Sequence, residues 1–391
     1  MTTLAPPSGR PRSGTAERLR SAVAGLDWIM LFAVAALTAF SLFVIGRSTE
    51  GDVEGDPRFF LDRQILFVAV GGVLMLVATR IDLDWLSRWS WALWGGLLGA
   101  LAVVFAFAST IRGTRSWIEL GPFNLQPSEM GKIVIMVVLA ALVIDRADDI
   151  GSLRFTALAA VVASIPAVII FLQPDLGTSL VYWVVLAAVL FLAGVPWVQF
   201  ATFGSALAVV ILAVLWILPA AGMPVLKEYQ VERLTAFMGA ERDSSDAGYQ
   251  LDQSKTAIGS GGTLGKGPDG ATQANNNFLP EHHTDFIFAV TSEMFGFAGG
   301  GLLILLFGLL IWRGLRTMAR ASSQMDMLVA GAIVAMLCFQ VFVNIGMNVG
   351  IMPITGIPLP LMSYGGSHTL STMAAIGLLL GIHQRRSAVP G

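Results

Sequence analysis

The stretch LPEHHTDFIFAVTSEMFGF, residues 279–297, places Glu281, His282, His283 and Asp285 side by side and turns apolar at Phe286. A carboxylate at such a boundary can take a proton from a substrate hydroxyl, provided the substrate also sits where water meets an apolar phase. A zinc centre is the other chemistry these residue types suggest. Adjacent histidines rarely share one ion, however, and no ligand-spaced Cys or His cluster follows, so the spacing reads against it. Three more charged groups lie in apolar surroundings. Glu129 and Lys132 stand one helical turn apart in QPSEMGKIVIMVV. Glu293 follows Asp285 by eight residues, about 12 Å along a helix. Charges inside apolar helices normally face the bundle interior or a wet cavity. The Glu129–Lys132 pair therefore reads either as a pin between helices or as the floor of a polar cavity. The segment GSGGTLGKG, residues 259–267, looks like a phosphate-binding loop but lacks its pattern. Ser260 stands where the first glycine belongs, and Gly267 where Ser or Thr must follow the lysine.

The elements that must hold these groups are membrane helices. Soluble domains are about 45–50% apolar and about 25% charged, whereas this 391-residue chain is 55% apolar and 13% charged, with mean hydropathy +0.73. Its net charge of −2 points to no particular partner, and its single cysteine, Cys338, excludes an intrachain disulfide. A bilayer core takes roughly 20 apolar residues per helix. Ten such runs are read at 26–46, 61–80, 88–109, 127–145, 154–172, 176–194, 198–218, 286–312, 324–348 and 366–384. The expected fold is an all-α polytopic membrane protein of ten transmembrane helices. Residues 1–24, rich in Pro, Arg, Ser and Gly, read as a disordered tail, and 387–391 as a short C-terminal tail. The first run is too long for a signal-peptide core and lacks a cleavage site, so it is expected to remain as an anchor.

Orientation follows from basic residues in the short flanks. Arg10, Arg12, Arg18, Arg20, Arg80, Arg88, Arg146, Arg154, Arg313, Arg316, Arg320, Arg385 and Arg386 cluster on one side. The opposite flanks hold only Arg47, Arg58, Arg63, Arg112 and Arg115, the first three among acidic residues. Both termini are expected in the cytoplasm, and the 219–285 connection between the seventh and eighth helices outside. That long connection is not compositionally disordered. LKEYQVERLTAFM and GYQLDQSKTAIGSGG both space their apolar residues as helices do, so short helices on the outer face are expected.

Four polar motifs then fall at the outer starts of even-numbered spans. QPSEMGK opens the fourth, QPDLGTS the sixth, HTDF the eighth and SYGGSHT the tenth. Each supplies a capping residue or a first-turn proline. Convergent helix N-termini make an anion site; ordinary caps without a ligand are the alternative.

On these residues the chain resembles the SEDS (shape, elongation, division, sporulation) family. The motifs RSWIELGPFNLQPSEMGK, FLQPDLGTS, YQLDQSKTAIGSGGTLGKG, FLPEHHTDFIFAV and NIGMNVGIMPITGIPLPLMSYGGS carry the resemblance. It covers nearly all of the chain after the tail, and QSKTAIGSGG and TGIPLPLMSYGGS are closer to RodA-type elongation members than to FtsW-type division members. The resemblance implies a multi-pass protein of the cytoplasmic membrane that polymerises lipid II outside, joining it to a growing glycan strand. Expected partners are a class B penicillin-binding protein that supplies the transpeptidase, the elongation machinery and membrane lipid. No nucleic acid and no nucleotide or organic cofactor is expected; a divalent cation, Mg²⁺ or Mn²⁺, is.

Asp285 matches the family's essential aspartate and is the expected general base. The expected substrate-binding set is Arg115, Trp117, Glu129, Lys132, Asp175, Arg233, Lys255, Lys266, Glu281, Thr284, Glu293 and Ser367, with the cations facing the pyrophosphate. The chain departs from the family at Met294, where a second glutamate is usual, at Gly239-Ala240, usually Asn-Pro, and at His368, usually Ser. A lipid II flippase without bond chemistry would suit the same buried charges. A division-type polymerase is the other alternative.

Overall fold

The computed structural model describes residues 25–387 apart from 108–116, 121–122, 214–216, 221, 223–245 and 277. Its long helices are α1 Trp28–Ser48, α2 Phe59–Ala78, α4 Ser90–Phe107, α5 Pro127–Asp145, α6 Leu153–Leu172, α7 Leu176–Leu192, α8 Trp197–Leu212, α10 Ile287–Met318, α11 Gln324–Val349 and α12 Gly366–Ser387. Each coincides with one predicted apolar run to within a few residues. Between them lie α3 Leu83–Arg88, a hairpin of β1 Ile118–Leu120 and β2 Phe123–Leu125, and α9 Asp246–Ser260. Six helices (α1, α2, α5, α6, α10 and α11) are long and apolar enough to cross a bilayer; α4 and α7 are shorter apolar helices.

Large apolar side chains such as Trp28, Phe32, Val73, Leu76, Val198 and Leu305 stand exposed on the helix exteriors. An outward apolar belt of this extent suits lipid rather than water. The interior is mixed. Among the six long apolar helices α5 and α11 are the most enclosed, and they contribute both aliphatic core (Ile135, Met136, Leu139, Leu328, Ile333) and buried polar groups (Glu129, Lys132, Asn344, Asn348). α2 and α12 approach closely because Gly377 and Gly381 lie against the Met75 and Thr79 carbonyls. A Cβ there would come within 2.3 and 2.6 Å of those oxygens.

The two ends of the bundle are built from different chemistry. At one end, Asp27 caps α1 by accepting from Met30 N at 3.1 Å and also accepts from Arg313 of α10 at 2.7–2.8 Å. There too Arg385 of α12 meets Asp326 of α11 at 2.6 Å. At the other end, the starts of α5, α7, α10 and α12 gather. α9 does not simply rest on a membrane surface. Its Ser254 donates to Asn348 O at 2.9 Å, and its buried face docks on α10 and α11.

Candidate active site

Asp285 sits in a short turn immediately before α10, partly buried. The turn is built by its neighbours. Glu281 takes a left-handed conformation, φ 51°, which costs a non-glycine residue of order 1–3 kcal/mol unless its surroundings enforce it. They do: Thr284 N and Phe286 N donate to Glu281 O at 3.1 and 3.4 Å, and Thr284 Oγ1 donates to Glu281 Oε2 at 2.9 Å. The carbonyl of Asp285 accepts from both Asn344 and Asn348, each at 3.0 Å. These asparagines are one turn apart on α11 and fully buried. The aspartate is thus held on a main chain clamped from two sides.

The same turn is tied to the start of α12. Ser363 Oγ donates to Thr284 O at 2.6 Å, and Tyr364 N to His283 O at 2.8 Å. Ser367 then bridges to the start of α5, accepting from Gln126 N at 2.8 Å and donating to Asn124 O at 2.7 Å. Gln126 Nε2 reaches Asp175 Oδ2 at 2.7 Å, and Asp175 Oδ1 caps α7 by accepting from Thr178 N at 2.9 Å. The four helix starts therefore converge. Their N–H groups, however, are partly taken up by the protein itself, at Gln126 by Ser367 and at Thr178 by Asp175. That narrows an anion cradle to what these bonds leave open. Loss of water pushes the Asp175 carboxyl above the usual aspartate range, against the opposing pull of the Thr178 N–H.

One turn below Gln126, Glu129 Oε2 receives Lys132 Nζ at 2.6 Å, Ser371 Oγ at 2.9 Å and His368 Nδ1 at 3.2 Å. All four side chains are buried. A carboxylate only accepts, so the His368 proton sits on Nδ1. Nε2 is left as a buried acceptor without a partner among the described residues.

Glu293 belongs to a different assembly. It is fully buried, yet its partners come from the connection before α10: Lys266 Nζ at 3.1 Å, Thr272 Oγ1 at 3.3 Å and Gln273 N at 3.1 Å. Three residues on, Gly296 breaks α10 with φ 65° and ψ −159°. The segment 261–267 fills the break. Lys266 N and Gly267 N donate to Glu293 O and Met294 O at 3.0 Å, while Phe297 N and Ala298 N donate to Gly262 O and Thr263 O at 2.9 and 3.1 Å. The glycine-rich segment that resembles a phosphate loop is a main-chain splint.

The predicted residues thus divide. Glu281, Thr284 and Asp285 share one turn; Glu129, Lys132, Asp175 and Ser367 share the converging helix starts. Lys266 and Glu293 pair with each other. Lys255 lies over Gly350 at the C-terminal end of α11, where a Cβ would meet its Cε at 2.2 Å. Trp117, partly buried, leads into the hairpin that delivers Gln126. Arg115, Arg233, the LKEYQVERLTAFM segment and both tails up to 24 and from 388 lie outside the described residues. Asn344, Asn348, Ser363, Ser371 and Asp52 were not singled out from sequence. Two asparagines at i and i+4 within one apolar span are a readable signal of an inward polar face; the others are joined only by the fold.

The family of cell cycle proteins that groups FtsW, RodA and SpoVE matches residues 26–388. The peptidoglycan glycosyltransferase MrdB of Escherichia coli K12 is 38% identical over 361 residues, covering 92% of this chain and 94% of its own. The stage V sporulation protein E of Bacillus subtilis is 33% identical, over 90% and 94%. Among solved structures, the rod shape determining protein RodA of Thermus thermophilus aligns with TM-score 0.65 at 29% identity, over 92% and 97% of the two chains. A chain from work on structural coordination of polymerization and crosslinking by a peptidoglycan synthase complex aligns with TM-score 0.78 at 32% identity, over 93% and 99%. With a family match across almost the whole sequence and relatives above 30% identity over nine-tenths of it, this chain belongs to the FtsW/RodA/SpoVE family.

Proposed function

We propose that Asp285 is the general base of this membrane-embedded peptidoglycan glycosyltransferase, and that the reaction is RodA-type polymerisation of lipid II during elongation. The observation that carries the reading is the clamped turn. Asn344 and Asn348 fix the main-chain carbonyl of Asp285, so the residue that bears this partly buried carboxylate is held at the mouth of an apolar bundle, where a lipid-linked sugar must present its headgroup. In the proposed step the acceptor sugar's 4-hydroxyl attacks C1 of the donor, and its proton passes to the Asp285 carboxylate. The C1–O bond to the lipid pyrophosphate breaks, and the α-linked donor becomes a β-1,4 linkage without a glycosyl-enzyme. General-base assistance of this kind contributes roughly 10²–10⁴ in rate.

The Glu129–Lys132–His368 group would line the sugar side of the same region, with His368 Nε2 the acceptor available to a hydroxyl or a water. Lys132 and Lys266 are paired with Glu129 and Glu293, so Arg115, Arg233 and Lys255 become the preferred cations for the pyrophosphate, with Trp117 an amphipathic surface for lipid or sugar. Mg²⁺ is commonly held by one or two carboxylates plus substrate phosphates. Glu281, in the same turn, would offer such a carboxylate to Mg²⁺ or Mn²⁺, which would neutralise the departing pyrophosphate while Asp285 takes the proton. The same reading has all ten long helices crossing the cytoplasmic membrane, both termini inside and the 219–285 connection outside. A class B penicillin-binding protein is the proposed partner, in keeping with the synthase complex to which the fold is similar.

The test is polymerisation of purified lipid II by the protein with its partner, product glycan being read on a gel. Wild type should give long strands and Asp285→Asn none. Strands of normal yield from Asp285→Asn would overturn the assignment, and transbilayer movement of lipid II without any polymer would favour a flippase.

A further inference from the structure

The two adjacent histidines do not stand alone in space. Asp52, from the α1–α2 connection some 230 residues earlier, brings its Oδ2 to 3.2 Å from His282 Nε2 and 3.9 Å from His283 Nδ1. The three ligand-type atoms all lie within 4.8 Å of one another. The two rings are turned 80° apart, so neighbours in sequence aim at one carboxylate oxygen. That removes the sequence objection to a shared ion, because the third ligand comes from elsewhere in the chain.

The surroundings of His282 argue further. Its Nδ1 faces Leu279 O at 3.2 Å, which calls for a proton on Nδ1 and leaves the lone pair of a neutral ring on Nε2. Yet Nε2 faces two electron-rich groups at once, Ser48 O at 3.1 Å and Asp52 Oδ2 at 3.2 Å. One proton on Nε2 cannot point at both, and it would make a cation of a side chain only 4% exposed. A divalent ion placed among Nε2, Nδ1, Oδ2 and the Ser48 carbonyl would satisfy all of them. Metal–ligand bonds of about 2.0–2.1 Å in a tetrahedron set ligand atoms about 3.3 Å apart; the Asp52–His282 pair stands at 3.2 Å, while His283 Nδ1, at 3.9 Å from the same oxygen, would have to move inward to ligate. A small pocket of about 120 Å³ lies on the Ser48 side, lined by Ser48, Arg47, Glu50 and Asp269 but by none of Asp52, His282 or His283.

We propose that Asp52, His282 and His283, with the Ser48 carbonyl, form a binding site for a divalent transition-metal ion of the Zn²⁺ class. Two imidazoles and one carboxylate favour Zn²⁺ or Co²⁺ over the oxygen-seeking Mg²⁺. The ion would staple the α1–α2 connection to the segment that carries Asp285, three residues beyond His282. The site goes beyond the glycosyltransferase reading and does not depend on it.

The experiment uses the full chain in detergent, purified through a histidine-free tag and stripped with EDTA. Titration with Co²⁺ should give one equivalent per chain and the visible absorption of a tetrahedral N/O site, bleached by Zn²⁺ and unaffected by excess Mg²⁺. Asp52→Asn and His282→Gln should each weaken Co²⁺ binding by roughly tenfold or more. Asp285→Asn should keep the spectrum, which separates this site from any ion held at the reaction centre. Zn²⁺ should raise the melting temperature of the stripped wild type, a readout that needs no variant. No tetrahedral Co²⁺ spectrum and no Zn²⁺-dependent thermal shift in the wild type would overturn the proposal in favour of a plain imidazolium–carboxylate pair. So would a spectrum unchanged in folded Asp52→Asn and His282→Gln.

Discussion

Glu129 and Glu293 are the same side chain, each fully or almost fully buried in an apolar helix, and they are used differently. Glu129 gathers Lys132 from its own helix and His368 and Ser371 from α12, so its charge ties two long helices at the converging helix starts. Glu293 gathers Lys266, Thr272 and Gln273 from the preceding connection, so its charge fastens a loop into a broken helix. Burying a carboxylate is costly in either place unless it is paired and hydrogen-bonded. The pairing alone does not mark a reactive group. The partners' origin, helix or loop, decides what loss of the charge would release.

The largest effect is expected at neither of them. If both buried glutamates chiefly hold structure, activity should fall hardest at the partly buried Asp285. Asp285→Asn is expected to lower polymerisation by about 10²–10⁴ with unchanged membrane yield, measured on lipid II. An equal loss in Glu129→Gln at full stability would erase the distinction.

Next comes the Glu129 cluster. Glu129→Ala and Lys132→Ala each strand a buried charge, at about 3–5 kcal/mol, and should lower yield and melting temperature together. The double variant should cost clearly less than the sum. Additive losses would mean that the two charges do not stabilise one another.

Glu293→Gln should act more locally, because Lys266 is about a third exposed and can return to water. Faster amide exchange is expected across 261–276, with a smaller change in global melting. Uniform protection there would refute the splint.

The smallest effect concerns Asp175. Burial raises its carboxyl, so the folded chain holds that proton more tightly than the unfolded one. Its contribution to stability is therefore most favourable at acidic pH and declines as pH rises through the range above the usual aspartate value. Asn is an equally good N-cap, so Asp175→Asn should keep stability within about 1 kcal/mol and flatten that decline. Asp175→Ala should cost about 1 kcal/mol through the lost cap. Denaturation followed against pH distinguishes them.

Local relations were legible in the sequence and distant ones were not. Glu129 and Lys132 are one turn apart, so their pairing follows from helix geometry; the cap expected in HTDF is not formed, since α10 starts after Phe286 with no side-chain cap. The apolar runs gave the helices because lipid leaves the backbone few other choices. The sequence does not single out Gly296 as a break, since MFGFAGGG offers several glycines and no local cue as to which leaves the helix. Lys266 reads from sequence as a cation for the pyrophosphate because Glu293 meets it only across the fold. Spacing alone sets Asp52 apart from the adjacent histidines, and only the fold brings it to them.

The splint at Gly296 has a consequence for how the protein is made. Within hydrocarbon each unpaired amide costs several kcal/mol, and four of the main-chain bonds spanning this break come from residues 262–267. The preceding segment leaves the ribosome first, so its strand of donors and acceptors already exists when α10 emerges. α10 is therefore not an independent insertion unit; it reaches its native form only with that segment lying alongside. Lengthening the chain between 261 and 267 should show up in biogenesis, as failed integration of α10 and rapid degradation, before any question of catalysis arises.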